Sequence, residues 1–283
     1  MTVLTYIDRS PFSRGVLDAA VWLARRLDQP VELVHTVTLA AGRSSQDLSG
    51  YMAVDAPETA FEKQVPFDEA QNRVRIEDGH RLLDAGAAAV REAGIRSVTE
   101  RLYQGTIAQH LAATQENHSA IVVGRQGEST HRAPARLGRN IEYVLQTATR
   151  PVVIAPHQFV PIERSLIAWD GGRSCEAALD FLVANGLLTG DQATLLHVGH
   201  GPAPSGIRAA GDRLTSAGVD ASIEQSTGQV AEAILRCASA MPAELVIMGA
   251  FGHSRLRRAL LGSTTSAILL NCPSTIMVVR SAD

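Results

Sequence analysis

The chain has 283 residues, 45% hydrophobic and 19% charged, with a formal net charge of −3 at pH 7. This balance gives no global reason to expect a nucleic-acid or anionic-membrane partner, and no apolar run reaches the ~18 residues that a membrane-spanning helix needs. Three cysteines, Cys175, Cys237 and Cys272, lack CxxC spacing, which argues against a disulfide framework or a zinc site and for a reducing compartment.

Thr2–Ile7 reads as a strand ending at Asp8, not as the charged-then-apolar start of a secretory leader, so a cytoplasmic protein is expected. Ser10 is the expected N-cap and Pro11 the first residue of a helix whose apolar positions include Val16, Leu17, Ala20, Val21 and Leu27. Val31–Val37 is a second strand, containing His35. Leu39–Pro66, rich in Ser, Gly, Asp and Glu, reads as an irregular insert. It holds Lys63, the single lysine among 26 basic residues, in a setting that fits neither a P-loop nor a Schiff-base nucleophile. Gly105-Thr106 leads into a helix, Ala120–Gly124 is a strand, and Pro151–Ala155 closes the series. The proline-bounded stretch Pro156–Pro161 marks a linker.

Beyond it the landmarks recur in the same order. Ser165–Asp170 repeats the first strand and its terminal acid, and Ser174 is the expected N-cap of the next helix. Ala193–Gly199 repeats the second strand, with His197 in place of His35. Gly228-Gln229, Leu245–Gly249 and Thr275–Val279 complete the series. A duplication is expected, with units at 1–156 and 162–283. Short Val/Ile/Leu-rich strands alternating with helical stretches imply an α/β fold: two doubly wound domains, each a five-stranded parallel sheet flanked by helices.

After Gly249 come Ala250, Phe251 and Gly252, then nine residues, then Gly262, Ser263 and Thr264. Glycines permit close backbone approach, and a serine and threonine opening a helix offer hydroxyls and free N–H groups to an anion. The connecting segment carries His253, Arg255, Arg257 and Arg258, and no acid occurs from Gly249 until Asp283. Spacing by itself leaves a glycine turn with solvated arginines as an equal alternative. Position favours the site: in a doubly wound sheet of order 3-2-1-4-5, Asp170 and Gly249 end neighbouring strands where strand order reverses.

The Gly-x2-Gly-x9-Gly-Ser pattern formed by Gly249, Gly252, Gly262 and Ser263 resembles the ATP-binding signature of the universal stress protein family. The acid after the first strand, the histidine in the second and the proline before the last agree, and the resemblance covers nearly the whole chain, twice. It implies the 3-2-1-4-5 order and a pseudo-two-fold pairing of the domains through their last strands. It also implies ATP, ADP or AMP, with Mg2+ as companion of a triphosphate. Asp170 and Val198 would lie near base and ribose, and Gly249, Gly252, Arg255, Gly262, Ser263 and Thr264 near the phosphates.

The first copy departs from this pattern. Gly124-Arg125-Gln126-Gly127 is followed by ten residues, with Glu128 and Pro134 among them, and then Gly138, Arg139 and Asn140. With Asp8 these form a degenerate site, which the bulk of Arg139 is expected to fill unless the guanidinium meets phosphate. Cys175 at a helix start is open to thiol activation by the helix dipole, though a plain small residue is the simpler reading. His35 and His197 read as hydrogen-bonded structural residues. Gly199–Pro204 lacks the third glycine of a dinucleotide fingerprint. Arg132, Arg136 and Arg139 form either a partner surface or a solvated face. The leading expectation is an adenine-nucleotide-binding stress or regulatory protein, with no metal site or catalytic residue of its own. A slow ATPase or nucleotidyl transferase at the same site, and a nucleotide-free scaffold with an unidentified protein partner, are the alternatives. Association of two chains stays open.

Overall fold

The computed structural model describes residues 1–39, 59–127, 137–204, 206–249 and 262–281, with only the backbone at 59–68 and 139. Its first half runs β1 (Thr2–Tyr6), α1 (Ser13–Leu27), β2 (Val31–Val37), α2 (Thr59–Glu92), β3 (Val98–Gln104), α3 (Ile107–Thr114), β4 (His118–Gly124), α4 (Arg139–Thr147) and β5 (Val152–Ala155). The second half runs β6 (Arg164–Ala168), α5 (Arg173–Ala184), β7 (Gln192–Val198), α6 (Gly206–Ser216), β8 (Asp220–Ser226), α7 (Val230–Ala240), β9 (Leu245–Gly249), α8 (Ser263–Asn271) and β10 (Thr275–Val279).

All ten strands join one sheet of order β3-β2-β1-β4-β5-β10-β9-β6-β7-β8. Each half therefore shows the expected 3-2-1-4-5 arrangement. Pairing is parallel throughout except between β5 and β10, which meet antiparallel with Ile154, Val153 and Val152 opposite Ile276, Met277 and Val278. The two last strands thus fuse the halves edge to edge, which removes two exposed edges from the molecule.

The two-residue period of each strand sorts its side chains between two buried layers. Val3, Ile7, Ile167, Ile247 and Met277 face the layer that packs under α1, α2, α5 and α6. Leu4, Tyr6, Leu166, Val246 and Ile276 face the layer under α3, α4, α7 and α8. Both layers draw residues from both halves. The linker is packed as well: Phe159 lies 6.3 Å from the ring of Trp22, and His157 stands edge-on to Phe12 at 5.8 Å.

Three local expectations are corrected. The first helix starts at Ser13 behind Phe12, not at Pro11 behind Ser10. Asp8 Oδ1 accepts the Ser10 N–H at 2.9 Å, and Ser10 Oγ accepts the Phe12 N–H at 3.3 Å, so these side chains build a turn before the helix instead of capping it. In the second half Gly172, not Ser174, is the N-cap, because Asp170 Oδ1 takes the Gly172 N–H at 2.7 Å and starts the helix early. The insert is not irregular throughout: α2 begins at Thr59 and passes through Lys63 and Pro66. Its Glu, Lys and Gln residues are good helix formers, which a reading by polarity overlooks. Residues 40–58 of the insert lie outside the described residues. No described helix is long and apolar enough to cross a membrane.

Candidate functional site

β1 lies beside β4 and β6 beside β9, yet the chain leaves each pair in opposite directions, so a crevice opens at the carboxyl ends of both pairs. In the second half Asp170 is exposed at the end of β6. Its Oδ1 accepts from the Gly172 N–H and from the Cys175 thiol, the latter at 3.0 Å. Gly171, at φ 74°, supplies the left-handed step that lets the chain turn there.

Across the crevice β9 ends at Gly249, whose lack of a side chain has a packing reason. A Cβ there would lie 2.8 Å from Ser174 Cβ and 3.0 Å from the Cys175 nitrogen, inside the first turn of α5. Gly262 differs. It is the N-cap of α8 at φ −59° and ψ 148°, and an added Cβ would meet nothing within 4 Å among the described residues. Its conformation does not demand glycine, and no packing among the described residues does either. Among the described residues no side chain caps α8, and no acid occupies its first turn. Ser263 is exposed and Thr264 half-buried. The start of α8 therefore presents uncapped N–H groups, a partial positive charge and two hydroxyls. Val198 ends β7, half-buried, paired with Ser226. Gly252 and Arg255 lie outside the described residues, as do His253, Arg257 and Arg258.

The first half repeats this plan. Gly138 caps α4 in nearly the same conformation as Gly262, at φ −69° and ψ 142°, again with no capping side chain among the described residues. Here, however, Glu142 stands in the first turn and counters the helix dipole. Asp8 faces Gly127, where a Cβ would lie 3.0 Å from Asp8 Oδ2. Asp8, Gly124, Gly127, Gly138 and Asn140 all line one cavity of about 790 Å³, together with Tyr6, His35 and Arg125. The side chain of Arg139, expected to obstruct this space, lies outside the described residues, as do Glu128, Arg132, Pro134 and Arg136. The described walls enclose a volume in the range of small-molecule sites.

Arg125 is a lining residue that the sequence reading passed over. Its guanidinium reaches the other half and donates to the Ser274 carbonyl at 2.8 Å, and burial lowers its pKa. A single arginine in a glycine-rich turn carries no sequence mark of such a crossing. The paired histidines do have a detectable sequence signal, their shared repeat position, and their role is structural. His35 Nδ1 bonds the Ile7 carbonyl at 2.9 Å, and His197 Nδ1 bonds the Trp169 carbonyl at 3.2 Å. Each ring so holds the residue that precedes the crevice acid. Cys175 is not activated by its helix. Burial first, and then its hydrogen bond to Asp170, push its thiol up to about 12. Gly199–Pro204 is a connector pinned by Gln225, whose amide donates to the Gly201 carbonyl at 2.6 Å.

The model of the universal stress protein family matches residues 1–156 and 207–280, more than half of the chain. Universal stress protein Slr1230 of Synechocystis is 28% identical over 284 residues, covering 98% of this chain and 99% of that one. Among solved structures, a universal stress protein from Archaeoglobus fulgidus superposes with a TM-score of 0.71 at 21% identity, covering 100% of this chain and 97% of its own. A functionally unknown protein from Pseudomonas aeruginosa gives 0.62 at 16% identity, with 99% and 92% covered. At these identities the structural likeness speaks for the fold.

Proposed function

This chain belongs to the universal stress protein family, and on that footing we propose that it is an adenine-nucleotide-binding regulatory protein whose principal site is the crevice between β6 and β9. The observation that carries this reading is Gly262, an N-cap glycine that meets no described side chain, at the start of a helix whose first turn has no acid. Phosphate oxygens would take the N–H groups there and the Ser263 and Thr264 hydroxyls, with Gly249, Gly252 and Arg255 on the preceding turn. Asp170, with Val198 beside it, would take donors from the base or ribose, since an ionised carboxylate only accepts. Mg2+, if it accompanies a triphosphate, would be held chiefly by the phosphates. The units 1–156 and 162–283 serve as two modules in this reading. The first module's crevice, lined by Asp8, Gly124, Gly127, Gly138 and Asn140, has room for a second ligand of similar size. Arg139 opens the helix beside it.

The test is calorimetric titration with ATP, paired with thermal unfolding. At a hundredfold excess over Kd, binding should add about 2.7 kcal/mol of stability. Gly262→Asp separates loss of binding from damage. Its carboxylate would cap α8 and stabilise the free protein by about 0.5–1 kcal/mol, while repelling phosphate. The expected result is a variant at least as stable as the parent, with no ATP-induced shift. Saturable binding that survives both Gly262→Asp and Ser263→Asp would remove the site from the second half.

A further inference from the structure

The first turn of α5 is wedged between the two strand ends that bound the second crevice. From that turn the Cys175 thiol donates to Asp170 Oδ1 at 3.0 Å and leans on the Ala168 carbonyl at 3.4 Å. Gly249 abuts the same turn from the other side. Asp170 Oδ1 is thus held from two directions, by Cys175 and by the Gly172 N–H, while Oδ2 accepts no hydrogen bond among the described residues. The first half places a hydroxyl at the corresponding position, with a different principal acceptor. Ser13, five residues after Asp8 as Cys175 is after Asp170, has its Oγ 3.4 Å from Asp8 Oδ1 and donates to the Asp8 carbonyl.

We propose that Cys175 is a positioning residue for the nucleoside end of the ligand: its thiol fixes Asp170 Oδ1, so that Oδ2 is presented to a ribose hydroxyl or an exocyclic amine. This rests on the nucleotide reading of the crevice. An exposed carboxylate that rotates freely must be ordered when a ligand binds, and one already pinned avoids that cost. The thiol suits the task because it stays protonated. It is 4% exposed, and its surroundings disfavour the thiolate. It therefore acts as a donor, not a nucleophile. In the first half the Ser13 hydrogen serves the Asp8 carbonyl, whereas in the second the Cys175 hydrogen is directed to the carboxylate. The effect should be confined to one end of the ligand, because Asp170 offers nothing to phosphate.

The experiment titrates the full chain, by calorimetry, with adenosine and separately with inorganic tripolyphosphate. Cys175→Ala should weaken adenosine about fivefold, the scale of one hydrogen bond, and leave tripolyphosphate within about twofold of the parent. Cys175→Ser, which restores an O–H donor, should recover the adenosine affinity. Equal losses for both probes would show a merely structural role and overturn the proposal. So would an alanine variant that binds adenosine like the parent. If the alanine variant loses its cooperative melt, Cys175→Val, apolar and without a donor, replaces it in the same comparison. A parent protein that binds neither probe instead overturns the nucleotide reading beneath it.

Discussion

Gly249 and Gly262 share one motif but answer to different forces. At Gly249 the obstacle to a side chain is backbone and a Cβ in the first turn of α5, atoms that cannot swing away. Gly249→Ala should therefore cost about 1–3 kcal/mol through overpacking, with no ligand present. Chemical denaturation of the free protein checks this, and an alanine variant as stable as the parent would refute the packing account. Gly262 should show the reverse pattern, with stability kept and ligand lost. The sequence presented both as glycines of a phosphate loop. It held no sign that one of them is a packing glycine, because the Ser174 Cβ that excludes a side chain is 75 positions away in the chain and adjacent only through the fold. Asp8 and Asp170 were legible because each directly ends an apolar run. Arg125 was not, since its use depends on the other half lying next to it.

Among the elements, α3 is docked through an unusual buried group. His110 is 1% exposed and stands edge-on to Tyr6 at 5.7 Å and to Tyr103 at 4.9 Å. Burial raises the Tyr6 pKa, so its hydroxyl stays protonated and can donate to His110 Nδ1 at 2.9 Å. His110 Nε2 has no partner among the described residues. Nearby, His118 lies 2.7 Å from Thr2 Oγ1 and 3.8 Å from Glu32, which is itself paired with Arg101. Burial lowers both histidine pKa values below 6.5, outweighing the opposing pull of Glu32, and Arg101 adds to the lowering. The sign follows from linkage. Below pH 6.5 the unfolded chain takes up protons that the folded chain refuses, so stability falls as pH drops from 6.5 toward the folded values. Unfolding free energies measured at several pH values should show this slope, and His110→Gln should flatten it. An unchanged slope in the variant would place the effect elsewhere. At this scale the sequence revealed strands and helices well, because periodicity encodes burial. Helix starts were displaced where side chains formed turns of their own, as Asp8, Ser10 and Asp170 do.

As a whole the two halves of the molecule share one sheet and two buried layers. The antiparallel β5–β10 junction makes the sheet continuous, and both buried layers cross it. Beyond the sheet, Arg26 of α1 reaches Asp191 between α5 and β7, with nitrogen–oxygen distances of 2.7 and 2.8 Å, and donates to the Thr189 carbonyl. The pair is lopsided: Arg26 is 27% exposed and Asp191 only 9%. Asp191 has a raised pKa because burial penalises its charge more than Arg26 relieves it. Its ionised form is therefore tolerated in the fold, not favoured by it, and this cost is present at neutral pH and relieved as the pH falls through the folded pKa. Removing the arginine leaves that buried charge without its partner, whereas neutralising the acid removes the charge itself. Arg26→Ala should accordingly destabilise the chain by about 1–3 kcal/mol, the cost of an unsatisfied buried group, and Asp191→Asn by less. Combining the two should recover part of the arginine loss, because the sites share one interaction. If the halves fold as one unit, the parent should melt in a single calorimetric transition, and Arg26→Ala should shift that transition as a whole. Two separate transitions, with only one moved by the substitution, would instead show that each repeat keeps its own stability despite the shared sheet.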